Sequence, residues 1–199
     1  YQLAQMDFIM PGTEGLTHTE SQTAWLQGKA AFIPCGNWLE NEMKGLIPDT
    51  FNMVIKATPS VTSADKVAQT GIQAAGGEGF IVPAKGKNVA GGKEYLRALM
   101  SKQGARFFSQ NTRALSVVSG AADGLDLGTA FASADAAVKA AGQNTFVDQY
   151  GNGGWYKKLY DDASNALGEM LNKRMTPDEF LAAAQASAAA VSKDDSVKK

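Results

Sequence analysis

Gly28 to Gly45, GKAAFIPCGNWLENEMKG, is the stretch on which the reading of the chain turns. Ala30 to Pro34 (AAFIP) is an apolar run of strand length, bounded by Gly28 before it and Pro34-Cys35-Gly36 after it. Trp38 to Lys44 has helical spacing, with Trp38, Leu39 and Met43 apolar and Gly45 where a helix C-terminal glycine belongs. Asn37 and Trp38 therefore stand between a predicted strand and a predicted helix, the place where α/β sheets put their ligands. A Trp there is either a core plug or a stacking platform, and spacing alone leaves both open.

Working outward, Tyr1 to Phe8 reads as the end of a helix, so the chain is expected to be a piece of a longer or processed protein. A turn at Pro11-Gly12 and a polar loop lead to Thr19 or Ser21, either of which can cap a short helix through Trp25 and Leu26. Beyond Gly45, Phe51 to Ala57 (FNMVIKA) reads as a strand stopped by Pro59, and Val61 to Ala75 as a polar surface excursion or a weak hairpin. Gly76-Gly77-Glu78-Gly79 then opens a third predicted strand, Phe80 to Val82, closed by Pro83. Helices follow over Val89 to Met100, Lys102 to Asn111 (capped by Ser101), Thr129 to Ala141 and Trp155 to Leu171. Thr176-Pro177-Asp178-Glu179 starts a last one: Thr as cap, Pro at the first helical position, Glu three residues after the cap. Strands interleaved with helices indicate the α/β class, with sparse strands for so many helices.

The totals exclude several function classes. With 19 basic and 20 acidic residues the net charge is -1, and no basic stripe offers a nucleic-acid surface. No apolar run approaches the ~20 residues of a membrane-spanning helix. One cysteine and one histidine leave almost no material for a disulfide, a Cys-rich metal centre or a Ser-His-Asp arrangement. Neither a cofactor nor a metal is expected. Cys35 reads as a small buried residue at a strand end and His18 as a solvated loop residue. Gly76 to Gly79 and Lys85-Gly86-Lys87 lack the pattern of a phosphate loop. The pairs Glu40/Glu42 and Asp161/Asp162 read as solvated helix faces, so acid/base catalysis on sugars is not supported.

The tryptophans remain. Trp25 reads as core. Trp38 and Trp155 each open a helix after small and polar residues (Cys-Gly-Asn and Tyr-Gly-Asn-Gly-Gly), as a ring that stacks on a sugar would, with core packing as the other reading.

The order of motifs resembles the C-terminal half of ABC-transporter extracellular solute-binding proteins of family 1, the maltose-binding-protein-like carbohydrate receptors. The matching pieces are TAWLQGKAAFIPCGNWLENEMKG, FNMVIKATPSV, GGEGFIVPAKGKNVAGGKEYLRALMSKQGARFF and EMLNKRMTPDEFLAAAQ, which together cover nearly the whole chain in order. The wording of PGTEGLTHTESQTAWLQGKAAF is most similar to receptors for N-acetylglucosamine and chitobiose. The resemblance implies a two-lobe α/β fold of the periplasmic-binding-protein type II kind, here a partial chain with most of the second lobe and the returning segment of the first. Residues 1–61 would be second-lobe, 62–79 an excursion and hinge crossing, 80–127 returning first-lobe, and 128–199 second-lobe helices and tail. It further implies a non-enzymatic extracellular or periplasmic receptor, tethered as a lipoprotein, that delivers a mono- or oligosaccharide to an ABC permease. Carried over by position, Trp38 and Trp155 would stack on sugar rings. Asn37, Gly77, Glu78 and Asn152 would line the cleft. Where relatives often have small hydroxyl residues this chain has Cys35-Gly36-Asn37, so sugar selectivity does not transfer. A carbohydrate-active enzyme and a non-sugar interaction module are the rival classes.

Overall fold

A computed structural model describes residues 1–65, 71–73, 79–146 and 156–196. The chain divides into two compact units, one of Tyr1–Ser21 with Asp148–Lys199 and the other of Gln22–Val147.

In the first unit the long helices α7 (Lys157–Leu171) and α8 (Pro177–Lys193) pack as a hairpin, accompanied by the short α1 (Gln2–Gln5). The predicted start signal of α8 forms in full. The Thr176 hydroxyl accepts from the Glu179 backbone N–H at 3.3 Å, and Glu179 Oε2 accepts from the Thr176 N–H at 2.8 Å. Ser187 donates to Asp162 Oδ2 at 2.6 Å and so ties α8 to α7. The connecting turn is closed by Arg174, whose Nε and Nη2 each lie 2.7 Å from the Glu169 carboxylate.

The second unit holds most of α2 (His18–Leu26), together with α3 (Leu39–Glu42), α4 (Val89–Leu99), α5 (Lys102–Thr112) and α6 (Thr129–Ala141). Local signals set these ends. Asn88 Oδ1 accepts from the Gly91 N–H at 2.8 Å and Ser101 Oγ from the Gly104 N–H at 3.0 Å. The cap of α2 is Thr17, with Glu20 completing a capping box, ahead of both expected caps, Thr19 and Ser21. The core of the unit is Leu26, Leu39, Met43, Met53 and Ala130, with Trp25, Ile33, Ile47 and Phe51 packed against it. Trp25 meets Phe51 edge to face, with ring centroids 4.6 Å apart.

The strand expectations need correction. Among the described residues the sheet is one parallel pair, β1 (Ile72–Gln73) with β2 (Thr145–Phe146), and the chain is mainly helical. Ala30 to Pro34, Phe51 to Ala57 and Phe80 to Val82 join no ladder among the described residues. An apolar run of five to seven residues records a demand for burial, whereas a strand also needs a neighbour for its backbone groups. Phe32 is 91% exposed and Ile81 87%, unlike residues of a covered α/β strand. The segment Phe51 to Ala57 finds a helical substitute for a neighbour. Thr129 Oγ1 lies 2.8 Å from Asn52 Oδ1 and 2.9 Å from the Met53 carbonyl oxygen, and Ser133 Oγ accepts from the Ile55 N–H at 2.8 Å. Thr129 and Ser133 are four residues apart on one face of α6, so two hydroxyls take contacts that a strand would have supplied. The glycine-rich crossing, Gly79 apart, and the loop before Trp155 lie outside the described residues.

Two outcomes test this architecture. Met43→Ala removes a side chain that is 2% exposed at the centre of the second unit's core, and should lower unfolding free energy by about 2–4 kcal/mol in denaturant melts. In the first unit, the backbone N–H and then the hydroxyl of Thr176 hold the Glu179 carboxyl below its ordinary range. A lowered folded value contributes stability above the ordinary carboxylate range that is lost as pH falls through it. Thermal melts taken between about pH 5 and pH 3 should therefore show a shallower acid decline in Glu179→Gln than in the wild type.

Candidate functional site

The site is built on the eight residues from Cys35 to Glu42. Leu39 (3% exposed) and Met43 (2%) point into the core, which fixes α3 as an anchor despite its four residues. Trp38 occupies the N-cap position of α3 with φ -79 and ψ -14. Half of its surface is open, at 50% exposure, so it does not plug the core. The benzo ring lies directly against the backbone of Gly36, and a Cβ at residue 36 would fall among its Cε3, Cζ3 and Cη2 atoms. Glycine here is thus a requirement of close approach, and the ring is seated by the chain two residues earlier.

Gln22 of α2, fully buried, holds both ends of this segment. Its Nε2 donates to Glu42 Oε2 at 2.7 Å and lies 3.5 Å from Cys35 Sγ. Asn37 is half-buried, and its side-chain amide makes no hydrogen bond among the described residues. An aromatic surface beside an uncommitted amide has the chemistry to take an apolar ring face and a neighbouring hydroxyl together.

Two expectations about nearby residues are overturned. Cys35 is exposed rather than buried, because the segment before it joins no sheet that would cover it. Glu40 is not solvated as expected: its side chain is 15% exposed and accepts from Arg113 Nη1 at 2.7 Å, whereas Glu42 is exposed, with Oε2 accepting from Gln22 Nε2. Asp161 and Asp162 do pair along their helix with Lys157 and Lys158. Neither Gln22 nor Arg113 was expected from the sequence. The one available signal was Gln22 on the turn before Trp25 and Leu26, a polar residue on the inward face of a short helix.

Of the six predicted ligand residues, Asn37 and Trp38 are adjacent on this platform. Gly77, Glu78, Asn152 and Trp155 lie outside the described residues. Two open concavities, of about 370 and 420 Å³, lie elsewhere, on the apolar sides of α4 and α5 around Tyr95. Trp38 lines neither, and their walls are mainly aliphatic and aromatic, with few groups for hydroxyls. Among the described residues no group of three or more His, Cys, Asp or Glu is arranged to hold a metal ion. No described helix is long and apolar enough to cross a membrane.

Over 158 residues, 75% of this chain, the sequence is 40% identical to the diacetylchitobiose binding protein NgcE of Streptomyces coelicolor. The two proteins are homologous. This is the kind of relative to which the motif series pointed, a sugar-binding protein of the chitobiose type. The chain spans about a third of the length of NgcE (33%). No family model matches the chain, and no solved structure matches it.

The seating of Trp38 can be tested directly. Gly36→Ala should displace the ring, raising acrylamide quenching of Trp38 fluorescence, while unfolding free energy changes by less than about 1 kcal/mol because the displaced atoms are the far end of a side chain.

Proposed function

We propose that this chain is part of an extracellular sugar receptor of an ABC importer, with N-acetylglucosamine or chitobiose as its ligand. The observation that carries the reading is the 40% identity to a diacetylchitobiose binding protein in a chain whose Trp38 is half-exposed beside an uncommitted amide. In this reading Trp38 stacks on a sugar ring and the Asn37 amide meets a hydroxyl. Trp155, Gly77, Glu78 and Asn152 complete the cleft from segments outside the described residues.

The receptor has two α/β lobes of the type II kind. Residues 1–61 and 128–199 belong to the second lobe, 80–127 to the first, and 62–79 to the crossing between them. Sugar bound between lobes stabilises the closed form, which the permease reads. The receptor acts outside the membrane, extracellular or periplasmic, held by a lipid anchor, and performs no chemistry on its ligand. The carboxylates nearest Trp38 support that last point: Glu40 is held by Arg113 and Glu42 by Gln22, so neither is poised as an acid or base across a glycosidic bond.

Calorimetry of the full-length receptor against N-acetylglucosamine, diacetylchitobiose and maltose tests the reading. Diacetylchitobiose should bind, and Trp38→Ala should weaken it by about 1–3 kcal/mol, the usual worth of an aromatic stacking contact. Equal affinity in a folded Trp38→Ala protein would remove Trp38 from the site, and turnover of chitooligosaccharides would replace the receptor with an enzyme.

A further inference from the structure

We propose that Arg113 is a positioning residue for the Trp38 platform, acting through Glu40. What the platform binds rests on the sugar-receptor reading; the mechanical role of Arg113 does not.

Three observations meet at this ion pair. The first is the backbone of Arg113. It closes α5 with φ 56 and ψ 15, in the left-handed region that glycine enters without a Cβ penalty, and its N–H donates to the Ser109 carbonyl at 2.8 Å. A glycine would close this helix at least as well, so the large side chain answers another need. The second is the span of the contact. Arg113 Nη1 reaches Glu40 Oε1 at 2.7 Å across 73 residues of sequence, joining the end of α5 to the first turn of α3. The third is burial. Glu40 is 15% exposed and its Oε2 is buried without a hydrogen-bond partner, so its charge depends on the guanidinium.

Helix α3 is too short to fix its own direction, because a single turn has little cooperative strength. Its orientation comes from outside. Glu40 and Glu42 are two residues apart, about 200° around the helix axis. Arg113 on Glu40 and Gln22 on Glu42 therefore grip α3 from nearly opposite sides. Two opposed ties set the roll of the helix about its axis. Trp38 at its N-cap follows that roll, and with it the seating of the ring on Gly36.

The test uses the full-length receptor labelled with 5-fluorotryptophan, with the Trp38 fluorine resonance assigned by its loss in W38F. Arg113→Gly removes the ion pair while suiting the left-handed backbone, so a purely stabilising ion pair predicts a lower melting temperature with an unmoved Trp38 resonance and unchanged affinity. The positioning role predicts a shifted or broadened Trp38 resonance with the Trp25 resonance unmoved. Diacetylchitobiose affinity should fall about fivefold, and Arg113→Lys, which keeps a cation, should bring both readouts to within about twofold of the wild type. Wild-type values of both in Arg113→Gly would overturn the proposal. If Arg113→Gly does not fold, Arg113→Gln is read in the same way. A wild-type receptor that binds no diacetylchitobiose would remove the sugar reading, and the fluorine resonance alone would then decide the positioning role.

Discussion

The buried amide of Gln22 is the contact on which the platform depends. One side chain on α2 reaches a sulfur at Cys35 and a carboxylate at Glu42, closing an eight-residue segment against the helix that precedes it. Burying an amide is unfavourable unless its hydrogen bonds are made, so the site keeps its shape only while both ends of the segment stay where Gln22 can meet them. Leu39 and Met43 supply the downward pull into the core, and Arg113 the lateral one. Between these fixed points Gly36 leaves room for the Trp38 ring to lie on the backbone.

The platform also separates two kinds of aromatic residue. Trp25 is drawn into the core edge to face with Phe51, and its indole N–H donates to the Ala31 carbonyl at 3.3 Å. Trp38 is thirteen residues later and faces outward over half its surface. The first ring stabilises the unit; the second leaves half of its surface open beside Asn37.

What the sequence discloses follows from how local each signal is. Thr176 and Glu179 announce α8 within four residues, and α6 over Thr129–Ala141 is legible from composition and the glycine that ends it. Trp38 was legible as an ambiguous ring, since its neighbours in sequence cannot reveal how much of it the fold covers. The expected strands find no partner among the described residues, because pairing is a property of distant segments: Asn52 to Ile55 are met by hydroxyls of α6, nearly 80 residues away. The Arg113–Glu40 pair is equally non-local, and nothing near Glu40 marks it as a buried carboxylate rather than one more charge on a helix face.

Cys35 gives the site a practical handle. It is the single thiol of this chain, it faces solvent, and it stands three residues before Trp38 in a segment that Gln22 holds in place. A thiol-reactive dye would attach here at one position, near enough to the indole for its emission to be quenched by the ring. The absence of a second thiol in this chain thus turns Cys35 into a built-in attachment point for an optical reporter of the platform.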